Sequence, residues 1–133
     1  MTYRGEIIQA EVLAVLDRQT CPMSAYAILD EMRKSSPGMA PPTIYRALAA
    51  LRKRGYVQRV ESMNAFIAYR GGRRRHGAVL SICDDCGLVE QNDAPELIRD
   101  IGAITGQSGF AAARYVVEVH GLCASCGDGG VSA

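Results

Sequence analysis

The stretch PPTIYRALAALRKRGYVQRVESMNAFIAY, residues 41–69, decides the fold of the N-terminal half of the chain. It opens with two prolines, which suit the first turn of a helix, and its apolar residues then recur at helical spacing over 41–54. Gly55 fits the position just past the end of that helix. Residues 56–60 and 66–69 are rich in β-branched and aromatic side chains and predict a two-stranded hairpin.

Two further helices are predicted before this stretch. Residues 5–17 carry apolar side chains at helical spacing, and Ser24 is a good N-cap for a second helix whose apolar stripe includes Ile28, Leu29 and Met32. Three helices followed by a β-hairpin are typical of a winged helix. We therefore predict a DNA-binding winged-helix domain over residues 1–69.

The composition changes abruptly at residues 70–77, RGGRRRHG, which we interpret as a hinge. Beyond it, strands and one helix predict a small αβ domain over 78–126, so the fold class is α+β. Asp93, followed three residues later by Glu96, predicts a capping box at the start of that helix. Residues 127–133 are small and polar, and we expect this tail to be disordered.

Charge is distributed unevenly between the two halves. Residues 1–75 contain 13 Lys and Arg against 6 Asp and Glu, whereas residues 76–133 contain 2 against 8. A basic half beside an acidic half indicates that the basic half faces a polyanion, although segregated solvated charges would give the same pattern. The sequence shows no secretion signal and no long apolar run, so we expect a cytoplasmic protein with no membrane segment.

Four of the five cysteines form two tight pairs, Cys83-x-x-Cys86 and Cys123-x-x-Cys126, separated by 36 residues. Two such turns can surround one Zn²⁺ with four thiolates, and a site without an open position is structural rather than catalytic. Unrelated reduced thiols, or a redox pair in one motif, are the alternatives. The pattern predicts one structural zinc ion per chain. For the fifth cysteine, Cys21, a small buried hydrophobic residue is the expected role.

The helix over 41–54 also predicts a surface for double-stranded DNA. Arginine can pair with guanine or hold phosphate, and tyrosine can contact phosphate or a sugar. A solvated helix rich in basic residues would look similar. The candidate DNA-contacting residues that lie outside the apolar stripe of this helix are Thr43, Tyr45, Arg46, Arg52 and Lys53. Arg54 and Arg59 lie near Lys53 in sequence, and we expect them among the phosphate contacts.

Several motifs in this order resemble those of the Fur family of metal-responsive regulators, and most closely its zinc-uptake branch. The resemblance covers roughly residues 5–126. The motifs that carry it are Ser24-Ala25-Tyr26, the octapeptide PPTIYRAL at 41–48, Val60-Glu61-Ser62, Cys83-x-x-Cys86-Gly87, and EVHGLCASC at 118–126.

The resemblance implies a homodimeric repressor that binds palindromic operators when zinc is plentiful and thereby silences zinc-uptake genes. It also implies that Tyr26 and Arg46 contact DNA, and that the four cysteines hold a structural zinc ion. The chain begins late compared with many relatives, which carry a further helix before the first one predicted here.

The same resemblance implies a second, sensing zinc site, and this chain departs from it. The four expected ligand positions are a His, a Cys, a His and a Glu, and here they are occupied by Gln58, Tyr69, His76 and Gln91. Glutamine and tyrosine are poor zinc ligands beside imidazole, thiolate and carboxylate. His76 is therefore the remaining candidate for a regulatory ion, either in a rebuilt site with Glu90 and Cys21 or as a polar hinge residue without metal.

Three alternatives to a zinc-responsive repressor stay open on these residues. One is a regulator of the same family with only a structural zinc, and another is a zinc-ribbon module that binds a protein partner. The third is an enzyme, which we do not expect. With His76, His120 and Cys21 outside the cysteine pairs, a catalytic constellation is hard to assemble.

Overall fold

The computed structural model describes residues 3–69 and 78–127. The chain divides into two compact units, Met1–Arg73 and Arg74–Ala133, which are described separately below. The predicted hinge at 70–77 and all of the predicted tail except Gly127 lie outside the described residues. None of the described helices is long and apolar enough to cross a membrane.

The first unit contains three helices and a hairpin. They are α1 (Tyr3–Asp17), α2 (Ala25–Arg33), α3 (Pro41–Lys53), β1 (Val57–Val60), a short 3₁₀ helix (Glu61–Met63) and β2 (Ala65–Ala68). The second unit contains β3 (Ala78–Cys83), β4 (Val89–Asp93), α4 (Pro95–Gly106) and β5 (Val117–Gly121).

The core of the first unit lies where the three helices meet the hairpin. Val12, Ile28, Ile44 and Leu48 are almost completely buried there, and Phe66 packs on them from β2. These residues recur at helical spacing in α1, α2 and α3, which is why each helix can turn one face toward the same centre. The predicted winged helix is confirmed in its helices and its hairpin.

The path from α3 into the hairpin is set by backbone hydrogen bonds. The Gly55 N–H donates to Arg52 O at 3.1 Å and the Tyr56 N–H donates to Leu51 O at 2.9 Å. Gly55 has a φ of +82°, a left-handed conformation that a residue without Cβ adopts at no steric cost. The helix therefore ends at Lys53, and the chain turns directly into β1.

The second unit is built on a three-stranded sheet in the order β4-β3-β5. β3 pairs antiparallel with β4 and parallel with β5, and α4 lies in the connection from β4 to β5. The capping box expected at the start of α4 was wrong. Asp93 still belongs to β4, opposite Ala78, and Ala94 occupies the N-cap with no side-chain hydrogen bond.

Candidate metal centre and nucleic-acid interface

The four cysteines predicted to bind metal come together in the second unit. The sulfur atoms of Cys83, Cys86, Cys123 and Cys126 all lie within 4.8 Å of one another. Among the described residues, this is the one group of three or more His, Cys, Asp or Glu side chains placed closely enough to hold a metal ion.

The parallel pairing of β3 and β5 explains why residues so distant in sequence meet. Cys83 is the last residue of β3 and pairs with Gly121, the last residue of β5. Parallel strands end at the same edge of a sheet, so the turn after each strand starts from the same edge. The Asp84 N–H also donates to Gly121 O at 2.8 Å, which joins the two turns at their base.

Each cysteine pair sits on a tight turn closed by backbone hydrogen bonds. The Gly87 N–H donates to Cys83 O at 3.0 Å, and the Cys126 N–H donates to Cys123 O at 3.1 Å. Gly87 has a φ of +80°, which favours glycine directly after the second cysteine of the first pair. These turns aim both sulfur atoms of a pair toward the same point.

The spacing of the sulfur atoms fits a tetrahedral zinc ion. Zn–S bonds of about 2.3 Å place two sulfurs of a tetrahedron about 3.8 Å apart. The Cys86 Sγ and Cys123 Sγ atoms, which belong to different pairs, are 3.7 Å apart. Four soft sulfur donors leave no position for water, so the cluster suits a structural ion rather than a catalytic one.

The surroundings of the cluster shift the pKa values of its thiols in opposite directions. The backbone N–H groups of Cys86 and Cys123 lower the pKa of the Cys83 thiol to about 6, since they stabilise its thiolate. Hydrogen bonds with the neighbouring thiols of Cys123 and Cys83 raise the pKa of the Cys126 thiol, because they favour its protonated form. A bound divalent ion would favour the deprotonated form of all four thiols, because the thiolate is the form of cysteine that ligates metal.

His120 lies beside the metal centre and not within it. Its Nδ1 is 3.3 Å from the Asp84 Oδ1 and its Nε2 is 3.5 Å from the Glu118 Oε1. The two ring nitrogens face different carboxylates, so the three side chains do not converge on one ion. This position agrees with the interpretation of His120 as a strand residue packed beside the zinc turns.

The predicted DNA-contacting residues lie on helices α2 and α3 of the first unit. Tyr26, in the first turn of α2, is 61% exposed, and Tyr45 on α3 is 49% exposed. Arg46 and Lys53 are also exposed, whereas Thr43 is half-buried. The exposed tyrosines are informative because nothing in the described fold requires large aromatic side chains to face outward.

A groove of about 530 Å³ runs between α1 and α3 and is lined by Arg4, Thr43 and Arg46. No sequence pattern pointed to Arg4. Its position on the first turn of α1 carries no recognisable motif, and only the packing of α1 against α3 brings it beside Arg46. The groove adds a positive charge to the face that carries the predicted contacts.

Other arginines of the basic half are engaged within the protein. The Arg54 Nη1 donates to the Gln9 Oε1 at 2.7 Å, and its guanidinium lies 5.0 Å from the centre of the Tyr56 ring. Arg52 and Arg59 both contact the carboxylate of Glu61. Arg54 and Arg59 were expected to lie among the phosphate contacts, and no sequence pattern pointed to these internal partners.

The expected positions of the sensing zinc site are occupied as follows. Gln58 lies on β1, and its buried Oε1 accepts no hydrogen bond from any described residue. Tyr69 follows β2 and Gln91 lies on β4, whereas His76 lies outside the described residues. Cys21, expected to be a small buried hydrophobic residue, is half-buried, and its Sγ lies 4.0 Å from the Thr20 hydroxyl.

The Ferric uptake regulator family model matches residues 8–127. The zinc uptake regulation protein of Escherichia coli K12 is 38% identical over 117 residues, which cover 87% of this chain and 68% of that protein. A crystal structure of holo XcZur has a TM-score of 0.85 and 35% identity, covering 91% of this chain and 84% of the other.

A solved zinc uptake regulator in complex with zinc and DNA also has a TM-score of 0.85, with 36% identity. It covers 90% of this chain, and this chain covers 81% of it. The family match spans both the winged helix and the four-cysteine cluster. The chain belongs to the ferric uptake regulator family.

Proposed function

We propose that this protein is a zinc-dependent transcriptional repressor that binds double-stranded DNA as a homodimer and controls zinc-uptake genes. Sequence and structural similarity to zinc uptake regulators, one of them bound to zinc and DNA, supports the proposal. Members of this family regulate transcription and are not enzymes, and neither is this chain. We propose that it acts in the cytoplasm, where its DNA target would be found.

The observation that carries the proposal is the set of exposed side chains on α2 and α3. Tyr26, Tyr45 and Arg46 project from a well-packed helical core, and Lys53 adds charge at the end of α3. In a winged helix, the recognition helix enters the major groove, where arginine reads guanine and tyrosine contacts the backbone. We assign base readout to Arg46 and a positioning role to the two tyrosines.

The surface of the second unit supports assembly into a dimer. β5 is an edge strand of the sheet, and Val119 and Leu122 at this edge are 55% and 60% exposed. Ile104 and Phe110 are each 65% exposed. An open sheet edge beside large exposed apolar side chains is typical of a surface that a second copy covers. A two-fold dimer would present two α3 helices to a palindromic operator.

The four-cysteine cluster connects zinc to DNA binding through folding. We propose that Cys83, Cys86, Cys123 and Cys126 hold one structural zinc ion per chain. Without it, the turns after β3 and β5 lose their common anchor, and the dimer surface on β5 is lost with them. A second, regulatory ion would require His76 with ligands other than Gln58, Tyr69 and Gln91.

Elemental analysis before and after mild chelation measures the number of ions. We expect one tightly held zinc per chain. A second zinc that mild chelation removes would establish a regulatory site, and substitution of His76→Ala would then abolish that second ion alone. Cys21→Ser, which changes another candidate ligand of that rebuilt site, should remove the same second ion and leave the tightly held zinc in place, because Cys21 lies outside the cluster.

Selection from a duplex library with a random core, followed by fluorescence anisotropy on the enriched sequence, tests the DNA-binding function. We expect a palindromic sequence, binding by the zinc-loaded protein, and loss of binding with Arg46→Ala. Arg99→Ala is the matched control, since Arg99 is an exposed arginine on α4 of the second unit. Failure to enrich any sequence, or equal effects of the two substitutions, would refute the proposed function.

A further inference from the structure

We infer that Glu61 restrains two basic side chains of the winged helix, Arg52 and Arg59, and thereby limits how many phosphates the protein contacts. This inference rests on the proposed DNA-binding function and concerns its strength and salt dependence. The assigned DNA contacts do not include Glu61, which lies at the start of the 3₁₀ helix between β1 and β2.

The carboxylate of Glu61 has one oxygen facing each arginine. Its Oε1 accepts a hydrogen bond from the Arg59 Nη1, and its Oε2 lies 3.8 Å from the Arg52 Nη2. Arg52 is in the last turn of α3 and Arg59 is on β1, so one carboxylate links the recognition helix to the hairpin. The three side chains together contribute a charge of +1, where the two arginines alone would contribute +2.

Arg59 is held from two sides. Besides its contact with Glu61, its Nη2 donates to the Asn64 Oδ1 at 2.7 Å. Asn64 sits at the hairpin turn with a φ of +50°, a left-handed conformation in which asparagine is among the few tolerated residues. The Arg59 side chain is 29% exposed and that of Glu61 is 24% exposed, so solvent screens this pair less than a fully exposed one.

Arg52 is held more loosely. Its distance to Glu61 exceeds that of a hydrogen bond, and its side chain is 39% exposed. A phosphate can therefore compete for Arg52 more easily than for Arg59. The two arginines therefore differ in how readily they contact phosphate. Glu61 withholds Arg59 from DNA and only reduces the contribution of Arg52.

The salt dependence of DNA binding reports this restraint directly. Each phosphate contact adds about −0.9 to the slope of log K against log salt concentration, irrespective of base sequence. Replacing Glu61→Gln keeps the size of the side chain and removes its charge. We expect the slope to steepen by about 0.9 to 1.8, and affinity for a non-operator duplex in 0.1 M salt to rise about tenfold or more.

Glu31→Gln is the matched control for this substitution. Glu31 is also a glutamate of the first unit, paired with one basic residue, Lys34, at 2.8 Å. Both substitutions raise the net charge by one, but the Glu31 variant releases no arginine of α3 or β1. Equal slopes for the two variants, measured by anisotropy on a random-sequence 25-base-pair duplex over a series of KCl concentrations, would overturn the inference.

Arg59→Ala provides a second test, and its first measurement does not require the Glu61 variant to fold. In the otherwise unchanged protein, we expect this substitution to leave the slope unaltered, since Arg59 is withheld from phosphate. In the Glu61→Gln background, the same substitution should reduce the steepened slope by about 0.9. A reduction of that size in the unchanged protein would show that Arg59 already contacts phosphate, and would overturn the inference.

The failure of this inference can be distinguished from failure of the proposed function. If Arg46→Ala abolishes operator binding while the Glu61 and Glu31 variants behave alike, only the restraint is refuted. If the zinc-loaded protein binds no duplex at any salt concentration, both are refuted. Zinc content and circular dichroism of each variant establish that the measured protein is folded.

Discussion

In the first unit, the buried hydrophobic side chains come from all three helices and both hairpin strands, whereas the second unit buries far fewer. Its described buried hydrophobics are Leu80, Ile82, Cys83, Val89 and Ile98. Large apolar side chains on α4, on β5 and around them remain exposed instead. The first unit is therefore stabilised by its own core, and we expect the second to depend on metal and on a partner copy.

Removal of zinc should have the largest effect, because it should destabilise the second unit and leave the first unit folded. Structural zinc held by four thiolates can contribute on the order of 10 kcal/mol to folding, more than a core of this size can replace. We expect chelation, or Cys86→Ser, to expose the amides of β3 and β5 to hydrogen exchange while those of α1 to α3 stay protected. Mass spectrometry of the exchanged protein measures this, with Cys21→Ser as the control.

Equal loss of protection in both units would show that the first unit has no stability independent of the second. Retained protection of β3 and β5 without metal would show that the second unit does not depend on zinc. In that case, the thin core would suffice to hold the second unit.

A cavity in the core of the first unit should destabilise that unit and leave the second unit and its zinc unaffected. Leu48 is 1% exposed at the centre of the helical core, and Leu48→Ala should destabilise that unit by about 2–5 kcal/mol. Zinc content should not change, because the four cysteines lie in the other unit. Chemical denaturation followed by hydrogen exchange measures the loss of stability, and elemental analysis measures the zinc content. Loss of zinc in this variant would show that the units do not fold separately.

A charge at the β5 edge should affect assembly without unfolding either unit. Val119→Asp should weaken the dimer by about tenfold or more, because it buries an unpaired carboxylate in an apolar contact. The folded second unit should keep its zinc. Met63→Asp is the control, since Met63 is exposed on the hairpin. Sedimentation velocity should show a shift toward monomer for the first variant alone, and an unchanged dimer would refute the assigned surface.

The smallest expected effect concerns the cap of α2. The Ser24 Oγ accepts a hydrogen bond from the Ala27 N–H at 3.1 Å, and Ser24→Ala should cost about 1 kcal/mol. Thermal unfolding of the first unit should shift accordingly. Ser108→Ala in the second unit should leave that transition in place, and equal shifts for the two variants would show that the cap adds nothing specific.

Local patterns predicted the features that depend on local chemistry. The cysteine turns, the prolines that open α3 and the Ser24 cap each act within a few residues, and all three were predicted from the sequence. The capping box at Asp93 failed because strand pairing with Ala78 extends β4 through that residue. Tertiary pairing outweighed a local signal there.

Long-range side-chain contacts could not be predicted in this way. Arg54 reaches Gln9 across 45 positions, and Glu61 meets Arg52 only after the hairpin folds back beside α3. The sequence indicates which residues are basic, but it does not indicate which of them the protein neutralises internally. This difference separates Arg46, exposed and assigned to DNA, from Arg59.

The pairing of β5 with β3 also bears on the order in which the two units can fold during synthesis. Every element of the first unit precedes residue 70, so that unit can fold on the emerging chain. The four-cysteine cluster needs Cys123 and Cys126, which follow every described helix and strand of both units, and β5 pairs with no described strand other than β3. We therefore expect the cluster to capture zinc only after the first unit has been synthesised. A chain made during zinc starvation would then carry a folded recognition helix on an unfolded second unit.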